Sequence, residues 1–529
     1  MKFIFQLLAI VVVVSPFTSR AVEKPNIIVI LVDDMGFSDI GCYGSEIPTP
    51  NLDKLAAGGV SFTQFYNTGR CCPTRASLLT GLYPHQAGVG HMTTNTGLPG
   101  YQGKLNEQCV TLAEVLRPAG YLTSMCGKWH VGQEQGVTPW GRGFERSINA
   151  AAGGFYFPDS PRTEIFLNGE SVGRRGGLLP EDWYVTDLWT DFGIKFIDEA
   201  FTAQKPFFLY LSHVAPHFPL QAPQEEIAKF RGKFKAGWDQ LREQRHAKQI
   251  ALGMVEKSWP MAKRPAEIKA WNDVSNDEQD RFDHMMAIYA ATIAHMDTSI
   301  GRLVTSLRER GVLDNTLILF LSDNGGNAES GPNGKFDGNP PGSAKSDVFL
   351  GQSWATLSNT PFRSYKHYNH EGGIATPLIA HWPTGIKARG ELRRQPGHLV
   401  DIMATCVDIS GAIYPREFGG HAILAPEGTS LVPAFENKPL PRDALFWEHE
   451  GNAAIRSGDM KLVRTGRGGK WELYDLKSDR TELIDLAKEQ PDQVTRLAAK
   501  WDAWAERAQV KPYPGKDNQK QKAPKKQRK

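Results

Sequence analysis

Long apolar runs are almost missing from this chain. Beyond residues 3–14, no stretch of the 529 residues is long and apolar enough for a membrane-spanning helix. Cysteine is scarce. There are six, Cys42, Cys71, Cys72, Cys109, Cys126 and Cys406, far too few for a fold built on a disulfide scaffold. An excess of one charge is also lacking. Sixty-one basic against 58 acidic residues leave a net charge of +3, so no broad basic field exists to hold nucleic acid. What is present is an ordinary 40% of hydrophobic residues, enough for one large core and a smaller unit.

Residues 1–21 read as a secretory signal. Lys2 supplies a basic start, residues 3–14 an apolar run too short to span a bilayer comfortably, and Ser19-Arg20-Ala21 small residues where a signal peptidase reads. An uncleaved anchor is the alternative. The expectation is a periplasmic or secreted protein with no stable membrane association after cleavage. No cysteine lies near the cleavage site to carry a lipid.

Four apolar runs end in polar clusters. Residues 25–32 carry a continuous, mainly β-branched run, as in a strand buried on both faces of a parallel sheet, and end in Asp33-Asp34. Residues 121–126 deliver Gly127-Lys128-Trp129-His130. Residues 207–211 deliver Ser212-His213 and then His217. Residues 316–321 deliver Ser322-Asp323-Asn324. Thr111 with Glu114, and Ser275 with Glu278, are capping boxes. The second opens a long helix with Met286, Tyr289, Ile293, Met296, Ile300, Leu303 and Leu307 on one stripe. Residues 221–271 read as a polar, largely helical excursion, residues 327–359 as a long Gly- and Pro-rich loop, and residues 377–382 as a further strand. From about residue 443, short runs alternate with turns and a closing amphipathic helix spans 492–507, the pattern of a small antiparallel sheet with one helix on it.

In an open α/β sheet, ligands sit beyond the carboxyl ends of the parallel strands, so the four clusters should converge. Asp33, Asp34, Asp323 and Asn324 offer oxygen only, which suits a hard cation, Ca²⁺ or Mg²⁺. Arg75, Lys128, Lys366 and the histidines supply positive charge for an oxyanion. The chemistry this points to is hydrolysis of a sulfate or phosphate ester.

Residues 68–81 add a candidate nucleophile. Cys71 stands just before a helix in which Pro73 fits the first turn, with Arg75 one turn on, so the helix dipole and Arg75 both favour an anion. Alone, such a cysteine is compatible with a buried structural role. The pattern Cys71-x-Pro73-x-Arg75 followed by Thr80-Gly81 resembles the maturation motif of the sulfatase family, with Cys72 at a free position. The resemblance covers residues 25–382 specifically and the carboxyl-terminal region more weakly. It implies an alkaline-phosphatase-like α/β fold, a mostly parallel sheet between helices, with a smaller C-terminal antiparallel sheet plus helix. It implies that a formylglycine-generating maturation enzyme converts Cys71. Asp33, Asp34, Asp323 and Asn324 resemble the ligands of one Ca²⁺ ion, completed by the converted Cys71. Arg75 resembles the residue supporting the formylglycine hydroxyls, and Lys128 and Lys366 the sulfate-binding lysines. His130 resembles the histidine bonded to formylglycine that helps break down the sulfated intermediate, and His217 the general acid for the departing alcohol.

Two departures stand out. Arg363-Ser364-Tyr365-Lys366 replaces the usual Arg-Gly-Gly-Lys, and Gly373-Ile374-Ala375 lacks the arginine of Gly-Ile-Arg. His213, His367 and His370 are left for supporting or surface roles. The expected organisation is a signal at 1–21, a catalytic domain at 22–440, a C-terminal subdomain at 441–512 and a basic tail at 513–529. The expected substrate is a sulfated small molecule or glycan, as an aryl or carbohydrate sulfate. The competing readings are a phosphate or phosphonate ester hydrolase on the same core, and a Ca²⁺-dependent binder of sulfated polysaccharide with Cys71 unconverted. A cysteine protease is a poor third, having no use for the acidic clusters.

Overall fold

The β-branched run after Pro25 forms β1 (Asn26–Val32), and all of it is buried. Its side chains alternate between two cores. Ile28, Ile30 and Val32 enter one, and Ile27, Val29 and Leu31 the other. A strand walled by helices on both faces has no polar side to show, which explains the unbroken run. The computed structural model describes residues 24–134, 136–161 and 164–514. The expected signal segment and residues 515–529 of the expected tail lie outside the described residues.

In chain order the next strands are β2 (Val60–Tyr66), β3 (Leu122–Lys128), β4 (Arg146–Ala150), the short β5 (Phe166–Leu167) and β6 (Glu170–Ser171), β7 (Phe207–Ser212) and β8 (Thr316–Ser322). They are followed by β9 (Lys335–Asp337), β10 (Asp347–Phe349), β11 (Ala375–His381), β12 (Glu391–Arg393) and β13 (Gly397–His398). Among the described residues, 11 of these form one sheet, ordered β12-β2-β11-β8-β1-β7-β3-β4-β5-β6 with β13 also on β2. The strands β8, β1, β7, β3 and β4 run parallel, while β11 lies antiparallel between β8 and β2. Helices Val185–Thr202 and Asn276–Glu309 cover one face. Helices Cys71–Thr80, Leu112–Leu116 and Asp401–Ser410 cover the other.

Register decides where the chemistry lies. Leu31 pairs with Ser212 and Leu321, Val32 with Ser322, and Gly127 with Ser212. The four central strands therefore end level. The ladder continues one step further, with Asp323 N donating to Val32 O at 3.0 Å and Asp33 N to Ala215 O at 3.1 Å. The first expected capping box forms in full, with Glu114 N donating to Thr111 Oγ1 at 3.1 Å and Thr111 N to Glu114 Oε2 at 2.7 Å. At the second, Ser275 caps the helix by accepting from Glu278 N at 3.4 Å, but Glu278 meets the Ser275 hydroxyl rather than its backbone N–H.

The expected C-terminal sheet is also present. Strands Leu445–His449, Asn452–Ser457, Met460–Arg464 and Glu472–Asp475 pair antiparallel in chain order. Helix Pro491–Arg507 packs Leu497, Trp501 and Trp504 on Ile455, Leu462 and Leu473.

The stretch 327–359 differs from the loop expected. It holds the β9–β10 hairpin and a helix, Gly351–Ser358. All of that helix except Gln352 is buried, so it has no polar face, and no apolar stripe marks it in the sequence. The excursion 221–271 is helical only at Gln224–Ala228 and Gly237–Ala251, apart from one turn at its end.

Candidate active site

The level strand ends bring the four clusters together with the start of helix Cys71–Thr80. Arg70 is extended and Cys71 is the first helical residue, so the thiol lies where the helix presents unpaired N–H groups and the positive end of its dipole. The Sγ atoms of Cys71 and Cys72 and a ring nitrogen of His130 lie within 4.8 Å of one another. A hydrogen bond from Cys72 holds the Cys71 thiol well below the ordinary cysteine pKa, with Lys128 and His130 acting the same way against burial. Burial and the hydrogen bond with Cys71 push Cys72 up. The two neighbours are thus chemically distinct, and Cys71 is the one poised to carry negative charge.

Arg75, fully buried one turn along, ties the clusters to each other. It donates to Lys128 O at 3.0 Å and to Asp323 Oδ2 at 2.8 Å, touches Ser212 Oγ, and lies 3.5 Å from Asp33 Oδ2. Lys128 Nζ is 2.6 Å from Asp33 Oδ2, and Lys366 Nζ 2.8 Å from Asp34 Oδ1. Asp34 also accepts from Asn324 Nδ2 at 2.8 Å and Asn327 Nδ2 at 3.1 Å, and its backbone N–H donates to Asp323 Oδ1 at 3.1 Å. His217 Nε2 stands 3.6 Å from Asp34 Oδ2. Asp34 and His130 hold left-handed backbone at φ 67° and 60°, a conformation that costs energy for non-glycine residues and collects at functional sites.

Every expected site residue therefore falls in one connected cluster: Cys71, Arg75, Lys128, His130, His217 and Lys366 with Asp33, Asp34, Asp323 and Asn324. Of the spare histidines, His213 is fully buried elsewhere, with neither ring nitrogen paired, and burial pushes its pKa down to about 3. His370 lies 3.1 Å from Arg363 and 3.4 Å from Glu472. Three supporting residues escape a reading of the sequence. Ser212 Oγ donates to Lys128 O at 2.8 Å, Thr74 Oγ1 to Asp323 O at 2.6 Å, and Asn327 braces Asp34. Thr74 and Ser212 do sit inside stretches that carry motif residues, which is the only signal they leave.

The donor set fits a hard divalent cation. Asp33 Oδ1 and Asn324 Oδ1 are buried oxygens without a hydrogen-bond partner. Burial and neighbouring Asp33 push the Asp323 carboxyl well above its ordinary range, a crowding that a cation relieves. Three buried carboxylates, Asp33, Asp34 and Asp323, face three buried cations, Arg75, Lys128 and Lys366. One added divalent ion leaves a positive excess, which is what an incoming oxyanion needs.

The fold and this cluster define a hydrolase of anionic esters built on a mostly parallel α/β sheet. A sulfatase family model matches residues 25–412, and the chain belongs to the sulfatase family, the sulfuric ester hydrolases. It is 35% identical to an arylsulfatase of Klebsiella aerogenes over 432 residues, covering 77% of this chain and 91% of that protein. It is 34% identical to an uncharacterized sulfatase of Schizosaccharomyces pombe over 520 residues, covering 90% and 93%. Among solved structures, Ps i-CgsB in complex with k-i-k-neocarrahexaose superposes with a TM-score of 0.68 at 27% identity, covering 91% of this chain and 93% of that one.

Proposed function

We propose that this protein is an exported sulfatase that hydrolyses an aryl or carbohydrate sulfate, with Cys71 converted to formylglycine by a maturation enzyme and one Ca²⁺ bound at Asp33, Asp34, Asp323 and Asn324. The observation that carries this reading is the position of Cys71. It lies at a helix start, beside His130, in a cluster that holds two unpartnered buried oxygens.

When present, the formylglycine hydrate supplies the nucleophilic oxygen. The cation supplies Lewis-acid polarisation of the sulfuryl oxygens. Arg75, locked by three acceptors, orients the Cys71 position. Lys128 and Lys366 neutralise sulfuryl oxygens, and both keep their charge: burial opposes it, but Asp33 and Asp34 raise their pKa values. Burial lowers the pKa of His130, leaving a neutral imidazole able to accept a proton from the Cys71 position. His217 Nε2 stands 3.6 Å from Asp34 Oδ2; burial lowers its pKa against the pull of Asp34 and Asp33, and in its charged form the ring can protonate the departing alcohol. The complex of Ps i-CgsB with k-i-k-neocarrahexaose favours a sulfated carbohydrate as the substrate class.

Mass spectrometry of the tryptic peptide carrying Cys71, together with turnover of sulfate esters, tests the reading. Conversion of Cys71 and not Cys72 in active enzyme is expected. Full activity with an unmodified Cys71 thiol would refute the mechanism. No turnover of any sulfate ester by converted, Ca²⁺-loaded protein would refute the activity.

A further inference from the structure

Three imidazoles converge on one carboxylate beside the cradle, and the mechanism uses none of them. Glu450 sits at the turn between strands Leu445–His449 and Asn452–Ser457. Its Oε2 is 2.8 Å from His367 Nδ1, and its Oε1 lies 3.4 Å from His91 Nε2 and 3.6 Å from His449 Nε2. His91 and His449 stack with ring centroids 5.4 Å apart. His449 is fully buried, and neither of its ring nitrogens has a hydrogen-bond partner. An imidazole held in the interior with both nitrogens free is costly unless something occupies one of them.

We propose that His367, His449 and Glu450, with His91 as the fourth donor, bind a transition-metal ion of the Zn²⁺ type. Ligand atoms of the first three already lie within 4.8 Å of one another. A tetrahedral zinc with bonds of about 2.0–2.1 Å needs ligand atoms about 3.4 Å apart, so a bound ion would draw these side chains closer together. The donor chemistry separates this centre from the oxygen-only cluster. Imidazole suits zinc, copper and nickel, whereas carboxylate and amide oxygens suit calcium. Arg70 touches the His367 ring and opposes a cation there, but Glu329, 2.9 Å from Arg70, balances its charge. The three elements involved are the loop bearing His91, the loop bearing Lys366 and His367, and the C-terminal hairpin. Asn452 already joins the last two by donating to His367 O at 2.8 Å. An ion here would clamp the loop that presents Lys366 to the hairpin.

Untagged, converted, Ca²⁺-loaded enzyme is titrated with zinc chloride by calorimetry near neutral pH, and crystals grown with zinc are measured at the zinc absorption edge. The expected result is an anomalous peak among His367, His449 and Glu450. His449→Phe, which keeps a buried ring, should weaken zinc about tenfold or more, and Glu450→Gln, at an exposed turn, should do the same without touching the core. A peak only at Cys71, Cys72 and His130, or affinity unchanged in Glu450→Gln, overturns the assignment. Turnover by the Ca²⁺-loaded enzyme without added zinc is measured separately, so failure of this centre is distinct from failure of the proposed activity.

Discussion

His217→Ala should separate proton donation from sulfate binding. The ring stacks on Phe218 with centroids 4.2 Å apart, and Nδ1 faces the Phe218 carbonyl oxygen, so the Nδ1–H donates there and Nε2 is left toward Asp34 and the site. Removing the ring should leave the cradle standing, because Asp34 keeps Lys366, Asn324 and Asn327 as partners. The loss should therefore follow the leaving group. General acid catalysis is worth about 10²–10⁴-fold, or about 3–5 kcal/mol of barrier, for an alkoxide that departs only when protonated. A nitrophenolate departs without that help. We expect kcat/KM to fall by about 10²-fold or more on a sulfated sugar and by less than about tenfold on nitrophenyl sulfate. The assay is kcat/KM for both substrates in wild type and variant. Equal losses would remove His217 from the acid role and make Lys366 the next candidate.

Asp323→Ala should abolish Ca²⁺ binding and turnover together, by about 10²-fold or more in kcat, since it removes a proposed ligand and the 2.8 Å partner of Arg75; full activity in protein shown metal-free by elemental analysis would refute the proposed cation site. Lys461→Met should cost about 3–5 kcal/mol in denaturant unfolding, because Lys461 Nζ bridges Glu371 at 2.9 Å and Glu482 at 2.8 Å with all three side chains fully buried; a change under about 1 kcal/mol would show that the network is dispensable. The same network sets an acid limit. Burial opposes ionisation of Glu371, but Lys461 and Arg480 hold its pKa down to about 2, below the unfolded value of about 4.3. Its contribution is full above that unfolded value and is lost as pH falls toward 2, so wild type should lose more stability than Lys461→Met across that window.

Much of the site was legible because it is written in short segments at strand ends. Residues 25–34 and 316–324 each carry a buried strand and the proposed cation ligands that follow it within a single stretch, so a reading that finds the strand finds the candidate chemistry. The motif from Cys71 to Gly81 likewise contains its own helix start and its left-handed glycine end. Elements without a pattern of their own were illegible. β2 has no clean alternation, since all its residues but Gln64 are buried, and it is recognisable only through its pairing with β11, β12 and β13. Helix Gly351–Ser358 is hidden by its burial. The converging histidines were unreadable for a different reason: His91 and His367 lie in separate loops and His449 ends a strand of the C-terminal sheet, so they come together only where that sheet packs.

That docking bears on the two departures from the family motif. Ala375 stands where an arginine is usual, and it pairs in register with Tyr66. The Tyr66 hydroxyl accepts from Arg456 NH1 at 2.6 Å and donates to Glu371 Oε2 at 3.0 Å, and Glu371 also accepts from Arg480 Nε at 2.8 Å. Two arginines of the C-terminal region thus bring positive charge to Tyr66, the residue paired with Ala375, and to Glu371. The same region grips the altered loop. Arg363 reaches Tyr474, Glu472 and the backbone of Glu482, while Glu371 N donates to Glu482 Oε2 at 2.8 Å. Lys366 lies between these two anchors. Its reach to Asp34 is therefore set by contacts with residues about a hundred positions away, and that is why Arg363-Ser364-Tyr365-Lys366 can depart from the glycine-rich form and still deliver its lysine.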